Sequence, residues 1–419
     1  MVHQTMKISR PRAAKASSTI TPMLFAFSSF QAHPCTTAPV RGRRGWLGAA
    51  ILGLLTACSS TQLPPTAPVT VPRSIPAVET PQGSAPVMQR ERSRWVQANW
   101  TELPGWSEDS TLAAWPAMLR SCSKPAPGWA QACAQALAAN PHDEIEMRAW
   151  FREHLQPWRV ESLEGQTEGL VTGYFEPLLQ AARKPQGAFR IPLHGVPPDL
   201  AQRKPFYTRA QIEGDAEVKA RLRPLELAYV DDALEALVLH IQGSGRVQMR
   251  EPDGQTRLLR LAFAGHNDQP YQSIGRYLID KGELRPGEAS WPQIRDWARR
   301  NPARMTELLW ANPRYVFFRE EALPDPELGP KGAQGVPLTP GRSIAVDKAS
   351  IPYGTPVWLE ATEPLSSTPL RRLVVAQDTG SAIVGAVRAD FFWGWGAEAE
   401  AQAGRMKQPL KMWVLWPRS

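Results

Sequence analysis

Cysteine and histidine are scarce in this chain, and their spacing does not indicate a zinc site. The 419 residues contain four cysteines and seven histidines, scattered along the sequence. Long apolar runs are also lacking: the run at 46–55 has ten residues, whereas a membrane-spanning helix needs about 20. The sequence therefore predicts neither a metal site nor a cofactor, and this run is too short to span a bilayer.

Acidic residues are absent from residues 1–57, which contain seven of the 48 Lys and Arg residues. Without that leader, 41 basic residues remain against 40 acidic ones, so the formal net charge of +8 belongs almost wholly to the leader. Binding to nucleic acid depends on a basic surface that neutralises phosphates. We therefore exclude nucleic acid as a partner.

The leader ends in a pattern typical of a bacterial lipoprotein signal peptide rather than a plain secretory signal. The basic residues at 41–44 precede the apolar run, and Leu55-Thr56-Ala57-Cys58 follows it. We expect residues 1–57 to be removed and Cys58 to carry a lipid anchor. Because a basic region normally starts such a signal, we expect translation to begin at Val40.

Residues 58–94 are predicted to form a tether between the anchor and the folded part of the chain. Seven prolines lie between Pro64 and Pro86. Proline-rich sequence favours an extended conformation and does not bury a core.

The two remaining cysteines, Cys122 and Cys133, form an even pair in an oxidising compartment. They flank a Pro- and Gly-containing turn at 124–128, which can fold two helices together. We predict a disulfide, worth about 2–3 kcal/mol for so short a loop. The alternative is a pair of small buried thiols.

Hydrophobic patterns divide the rest of the chain into helical and β segments. Helices are predicted at 110–121, 130–139, 147–155 and within 271–309, where Trp291-Pro292 is a helix start. Strands are predicted at 170–177, 236–241, 343–347, 356–359, 373–376 and 411–415.

Three aspartates end or interrupt the predicted C-terminal strands: Asp347, Asp378 and Asp390. A carboxylate among aliphatic and aromatic side chains costs several kcal/mol unless it is hydrogen-bonded or protonated. Each could cap a turn, but their grouping beside the aromatic residues 391–393 favours a function. Aromatic rings offer flat faces to sugars, and they raise the pKa of a nearby acid toward that of a general acid.

Strand alternation predicts which of these side chains share a face. Asp390 and Phe392 should point to one side of their strand, and Phe391 and Trp393 to the other.

The segment at 378–381 has a second interpretation. Asp378-Thr379-Gly380-Ser381 has the local signature of an aspartic protease, whose chemistry needs two such aspartates sharing one proton. The chain contains a single Asp-Thr-Gly, so a protease would have to be a homodimer. A third interpretation is a lipoprotein that binds glycan strands without cleaving them.

Eight motifs follow one another between about Trp106 and Trp416. They are Ser121-Cys122, Thr172-Gly173-Tyr174-Phe175-Glu176-Pro177, Ile241-Gln242-Gly243-Ser244-Gly245-Arg246, Pro270-Tyr271-Gln272-Ser273-Ile274-Gly275-Arg276, Asn312-Pro313-Arg314-Tyr315-Val316-Phe317-Phe318, Ala345-Val346-Asp347, Ile351-Pro352-Tyr353-Gly354 and the segment 377–394. In this order they resemble the membrane-bound lytic murein transglycosylase A family, whose C-terminal module is named for three aspartates.

The resemblance implies a mainly β fold with peripheral helices. A double-psi β-barrel domain would comprise residues 95–177 and 322–419. A smaller β domain, residues 178–321, would be inserted into it, with the substrate groove between the two.

The resemblance also implies non-hydrolytic cleavage of the murein glycan, in which the muramyl C6 hydroxyl attacks C1 and forms a 1,6-anhydro ring. Asp390 would act as general acid and then as base, Asp378 would stabilise the transition state, and Asp347 would be a support residue. The residues expected to line the groove are Tyr174, Gln242, Ser244, Tyr271 and Trp393.

The partners implied by the resemblance are peptidoglycan strands, the membrane through its lipid anchor, and complexes of cell-wall synthesis or division. The implied location is the periplasmic face of the outer membrane.

Overall fold

The computed structural model describes residues 85–418, so the leader, Cys58 and most of the predicted tether lie outside the described residues. The strands are β1 (Val87–Gln89), β2 (Arg94–Gln97), β3 (Leu155–Glu161), β4 (Gly169–Glu176), β5 (Leu178–Ala182), β6 (Ile191–His194), β7 (Glu226–Val230), β8 (Gly245–Arg250), β9 (Thr256–His266), β10 (Val316–Ala322), β11 (Ser343–Val346), β12 (Pro356–Thr362), β13 (Pro369–Asp378), β14 (Arg388–Trp395) and β15 (Lys407–Pro417).

The helices confirm the helical segments predicted from the sequence, including the start at Trp291. They are α1 (Trp115–Cys122), α2 (Ala130–Ala138), α3 (Glu144–His154), α4 (Arg209–Gly214), α5 (Ala216–Leu222), α6 (Ala233–Gln242), α7 (Ile274–Asp280), α8 (Trp291–Arg300), α9 (Met305–Trp310) and α10 (Gly396–Ala403).

The first sheet has nine strands in the order β1-β2-β3-β15-β12-β13-β11-β14-β4. Its last six close into a barrel because β15 pairs with β4 through residues 407–410 and with β12 through residues 411–414. Within the barrel, β11 runs parallel to β13 and antiparallel to β14. The prediction of a mainly β fold built around a barrel is confirmed.

The second sheet has six strands in the order β10-β9-β8-β5-β7-β6. All of them lie between Leu178 and Ala322. The chain therefore leaves the barrel after β4, forms this sheet and the helices around it, and returns to the barrel after β10.

Helices α1 to α3 pack on the outside of the barrel through large aromatic side chains. Trp115 contacts Trp150 edge to face, with ring centroids 4.9 Å apart, and Trp106 contacts Trp358 of β12 at 5.1 Å. These rings belong to one buried cluster shared by the helices and the barrel. The predicted disulfide between Cys122 and Cys133 is present and joins the end of α1 to α2.

The strand predicted at 236–241 is wrong, because these residues form the middle of α6. Asp232 caps the helix, since its side chain accepts hydrogen bonds from the backbone N–H groups of Leu234 and Glu235 at 2.7 and 3.1 Å. Gly243 ends it in the left-handed conformation, with φ of 82°. α6 contributes side chains to three buried clusters. A helix buried on every side has a continuous apolar run that resembles a buried strand.

The predicted tether extends too far toward the C-terminus. β1 pairs with β2, and β2 pairs with β3 of the barrel sheet. Ser93 is fully buried, and its hydroxyl donates to the backbone carbonyl of Ser350 at 3.3 Å. The last proline of the predicted tether is Pro86. The residues that follow have backbone N–H groups and can therefore pair within the sheet.

Candidate active site

Asp390 lies within β14, the strand between β11 and β4. Its backbone pairs with Ala345 of β11 on one side and with Thr172 of β4 on the other. The Thr172 hydroxyl donates to Asp390 Oδ1 at 2.6 Å, and it accepts from Arg388 Nη2 at 2.9 Å. The carboxylate is thus oriented by a hydroxyl that is itself held by a cation.

Asp378 ends β13 on the opposite side of β11, where its backbone also pairs with Ala345. One residue of the short β11 therefore has both aspartates as lateral neighbours. Asp378 Oδ2 accepts from the Tyr174 hydroxyl at 3.1 Å, and its Oδ1 accepts from the backbone N–H of Ala333 at 2.9 Å.

The surroundings of both carboxyl groups raise their pKa values. The pKa of Asp390 is raised to about 6, chiefly by burial and in smaller part by the nearby Asp378 charge, against the opposing effects of the Thr172 hydrogen bond and Arg388. Burial also raises the pKa of Asp378, against the hydrogen bonds that it accepts. Both groups remain partly open to solvent, so a substrate can reach them. An acid with a pKa near 6 can release and recover a proton near neutral pH.

Asp347 does not share this environment. It is buried and accepts hydrogen bonds from the backbone N–H groups of Ala349 and Gly385, each at 3.0 Å, and from Arg92 Nη1 at 3.2 Å. These contacts tie the end of β11 to the loop that leads into β14. The role supported by these contacts is to hold that loop in place.

A cleft of about 680 Å³ lies between the barrel and the second sheet. Its barrel side includes Tyr174, Asp378 and Phe392, and its other side includes residues 240–244 and Phe263. Tyr174 and Phe392 are paired across β4 and β14, with ring centroids 5.2 Å apart. Asp390 and Thr172 form the neighbouring pair on the same face of these strands. The aromatic pair therefore lies between Asp390 and the centre of the cleft.

Three of the residues predicted to line the groove do line this cleft: Tyr174, Gln242 and Ser244. Gln242 Oε1 accepts from the backbone N–H of Phe175 at 3.1 Å, and Ser244 Oγ accepts from that of Phe263 at 3.1 Å. Their side chains therefore also hold the walls of the cleft together. Tyr271 lies outside this lining. Burial raises the pKa of its hydroxyl, as does the Asp390 charge, against a hydrogen bond with Ser273.

The structure does not place Trp393 in the cleft. Its ring packs against Phe391, with centroids 4.9 Å apart, and its Nε1 donates to the Met406 sulfur at 3.3 Å. The reason is strand alternation, which turns Trp393 and Phe391 to the face opposite Asp390 and Phe392. The predicted alternation is confirmed, and it is incompatible with Trp393 as a lining residue.

Sequence reasoning missed the residues that form the far wall of the cleft, Phe263, His266, Arg314 and Arg319, and it also missed Lys331 on the barrel side. Phe263 is 43% exposed, which is unusual for an aromatic side chain in a sheet. The pairing of β9 with β10 is irregular here, because Phe317 pairs with Gly265 while Phe318 pairs with Phe263. This bulge turns Phe263 outward. The sequence carries no local signal for this wall, because the exposure of Phe263 depends on the register of its pairing with β10.

Residues 85–418 contain no group of three or more His, Cys, Asp or Glu side chains arranged to hold a metal ion. No helix in this part of the chain is long and apolar enough to cross a bilayer.

Comparison with known proteins identifies the family. Residues 170–319 match the MltA specific insert domain, and residues 342–416 match the 3D domain. Membrane-bound lytic murein transglycosylase A of Vibrio cholerae is 34% identical over 253 residues, and the Escherichia coli K12 protein of that name is 33% identical over 269 residues. This chain belongs to the membrane-bound lytic murein transglycosylase A family. The alignments span 59% and 62% of this chain, and 65% and 69% of the respective relatives.

Solved structures of this family have the same fold. The lytic transglycosylase LtgG of Burkholderia pseudomallei is 43% identical, with a TM-score of 0.55 over 80% of this chain and 98% of that one. MltA from Neisseria gonorrhoeae is 32% identical, with a TM-score of 0.67 over 80% and 96%. E. coli MltA with bound chitohexaose is 27% identical, with a TM-score of 0.57 over 83% and 100%.

Proposed function

We propose that this chain is a peptidoglycan lytic transglycosylase that cleaves the β-1,4 bond between N-acetylmuramic acid and N-acetylglucosamine and forms a 1,6-anhydro ring. The observation that carries the proposal is Asp390, an acid with a pKa of about 6 beside an open, aromatic-flanked cleft. Family membership and the E. coli MltA structure with a bound sugar oligomer support a glycan as the occupant of that cleft.

In the first step, protonated Asp390 donates its proton to the glycosidic oxygen while the bond from that oxygen to the muramyl C1 breaks. The sugar ring gains oxocarbenium character. In the second step, the Asp390 carboxylate takes the proton from the muramyl C6 hydroxyl, whose oxygen bonds to C1. Asp390 ends the cycle protonated, and no water is consumed. This use of one acid and base differs from two-carboxylate hydrolysis, which needs a second group to attack or to activate water.

Asp378 is suited to stabilise the positive charge on the sugar ring rather than to transfer protons. Its two oxygens are held by Tyr174 and by the backbone of Ala333, which fixes its position before the substrate arrives. A charge fixed in advance stabilises a transition state without the cost of reorganisation.

A protease is disfavoured by the same contacts. Asp378 belongs to the single Asp-Thr-Gly of the sequence, and its closest side-chain partner is the Tyr174 hydroxyl rather than a second carboxyl group. An aspartic protease needs two carboxyl groups that share a proton.

The direct test is a digest of purified murein with the unmodified protein, followed by mass spectrometry of the soluble fragments. The expected products end in 1,6-anhydromuramic acid and are lighter by one water than hydrolysis products. Products ending in reducing muramic acid would refute the transglycosylase reaction. A protein that binds murein and releases no fragment would be a glycan-binding lipoprotein instead.

The loss of activity as pH rises should follow the ionisation of the Asp390 carboxyl group. Because Asp390 must begin protonated, activity should fall above pH about 6. The Thr172 hydroxyl stabilises the ionised carboxylate, so Thr172→Val should raise the pKa and move this loss of activity to higher pH. The measurement is kcat/KM for soluble murein glycan between pH 4.5 and 8.5. Thr172→Ser keeps the hydroxyl and should retain the original pH dependence. A loss of activity that moves to lower pH in the valine variant would contradict this account.

We also propose that Cys58, which lies outside the described residues, anchors the protein by lipid at the periplasmic face of the outer membrane. The sequence at 55–58, after the basic and apolar segments, supports this location. Cys58→Ala should release the protein from the membrane fraction and abolish its incorporation of labelled fatty acid. Unchanged incorporation in the variant would refute lipidation at this residue.

A further inference from the structure

The cleft contains more positive charge than binding an uncharged sugar requires. Arg314 lies just before β10 and lines the far wall, and Lys331 lines the cleft from the barrel side. His266 also lines the far wall, but burial and the Arg314 charge lower its pKa, so it adds little positive charge. Asp378 is the acidic residue that lines the same cleft, and both of its oxygens already accept hydrogen bonds. A cleft of one predominant sign attracts a ligand of the other sign.

Arg314 is held by its backbone while most of its guanidinium is left available. Its backbone N–H donates to Asn312 Oδ1 at 3.2 Å, which fixes the start of the side chain. The guanidinium makes one long contact with the described residues, from Nη1 to the carbonyl of Gln269 at 3.4 Å. A guanidinium has five N–H donors in a fixed fork that matches a carboxylate.

The charge of Arg314 is poorly compensated by its own protein. Burial lowers the pKa of Arg314, and the opposing effect of the Asp268 charge is smaller. The neighbouring Arg319 differs, since its guanidinium binds Glu321 Oε1 at 2.7 and 3.0 Å. A half-buried cation without full compensation would gain from an anion supplied by a ligand.

Lys331 lies on a segment that is firmly attached to Asp378. The backbone N–H of Ala333 donates to Asp378, and that of Gln334 donates to the carbonyl of Gln377 at 3.0 Å. Lys331 is exposed, so its ammonium group is accessible from the cleft. The two cations therefore approach a bound glycan from opposite walls.

We propose that Arg314 and Lys331, on opposite walls of the cleft, bind carboxylates of the murein substrate, and so select charged murein over uncharged glycan. This inference rests on the proposed function. Murein offers such a group from two sources: the stem peptides, and the lactyl carboxylates that are exposed where a stem has been removed. The bound carboxylates would position the glycan strand along the cleft.

The test measures binding separately from cleavage, in the Asp390→Asn background. Three soluble probes are compared by calorimetry: murein glycan with stem peptides, murein glycan stripped of stems, and an uncharged N-acetylglucosamine hexamer. Arg314→Gln combined with Lys331→Gln should weaken binding of a carboxylate-bearing probe by about tenfold or more. The loss for the uncharged hexamer should be much smaller. A loss confined to the stem-bearing probe identifies the stem as the source, and a loss confined to the stripped probe identifies the lactyl carboxylate. A loss for both murein probes shows that the site accepts either carboxylate.

Two controls separate this site from loss of folding. Arg257→Gln removes the same charge from an exposed position of β9 outside the cleft, and it should keep the selectivity of the parent. Arg314→Lys retains the charge and should recover part of the lost affinity. Equal effects of the double substitution on all three probes, or no effect on any, would overturn the inference. Absence of anhydro products from the unmodified chain would instead refute the proposed function, which these binding measurements do not use.

Discussion

Asp390→Asn is expected to lower kcat on purified murein by about 10³ to 10⁴ fold, because the amide can neither donate the proton nor recover it. Binding of murein should persist, since the substitution preserves the shape of the side chain and Asp390 lies beside the cleft rather than among its lining residues. The measurement is the rate of release of 1,6-anhydro fragments, together with the amount of protein that sediments with sacculi.

Asp253→Asn is a suitable control, because Asp253 is an exposed aspartate whose salt bridge to Arg257 lies outside the cleft. It should retain full activity. If Asp390→Asn kept more than about a tenth of the parent rate at every pH, Asp390 would not be the proton donor. Loss of both binding and activity would point to a damaged fold and would be visible as a lowered melting temperature.

The second large effect is expected at Glu176, which ends β4 where the chain leaves the barrel. Its side chain is fully buried and binds two arginines of the second sheet, Arg246 at 2.8 Å and Arg260 at 2.5 Å. Both arginines also donate to the carbonyl of Leu328, in the segment that returns to the barrel, at 3.2 and 2.7 Å. The Arg246 guanidinium lies 3.7 Å from the ring centroid of Trp395 in β14.

Glu176→Gln should lower the free energy of unfolding by about 3–5 kcal/mol, because it leaves two buried guanidinium groups without their carboxylate. The measurement is equilibrium denaturation in urea. Glu307→Gln breaks exposed contacts to Arg304 and should lower the free energy of unfolding far less, because exposed ion pairs contribute little.

The same contacts connect β4, the second sheet and β14, so Glu176→Gln should also disturb the spacing of the cleft walls. We expect KM for murein to rise in this variant even at temperatures where it remains folded. A variant as stable as the parent, with unchanged KM, would show that the buried pairs have no such role. Replacing Glu176, Arg246 and Arg260 together by Met should recover most of the lost stability, because buried ion pairs exchanged for apolar groups of similar volume are often neutral.

Local pattern was sufficient to predict the central part of the candidate site. Alternation in residues 390–393 placed Asp390 and Phe392 on one face, and the structure has this arrangement. Because burial of a carboxylate is unfavourable, the presence of Asp390 and Asp378 in apolar strands indicated a functional role. These inferences succeeded because a strand has a fixed period of two, which holds regardless of what surrounds it.

Tertiary context decided the features that local pattern missed. Residues 236–241 form a helix because α6 contributes to several clusters at once, and periodicity gives no signal when every side is buried. Phe263 reaches the cleft because of a bulge in the pairing with β10. Arg314 precedes β10 and Lys331 follows it, and the two meet at one cleft only after the second sheet packs against the barrel.

The barrel closes through β15, so the site around Asp390 is complete only after this late strand has been made. Lys407 of β15 pairs with Thr172, the residue whose hydroxyl orients Asp390. These partners are 235 residues apart in sequence. β4 therefore cannot pair with β15 until nearly all of the described chain has been made. An unfinished polypeptide therefore lacks the completed barrel around Asp390, and glycan cleavage is delayed until β15 is available to pair.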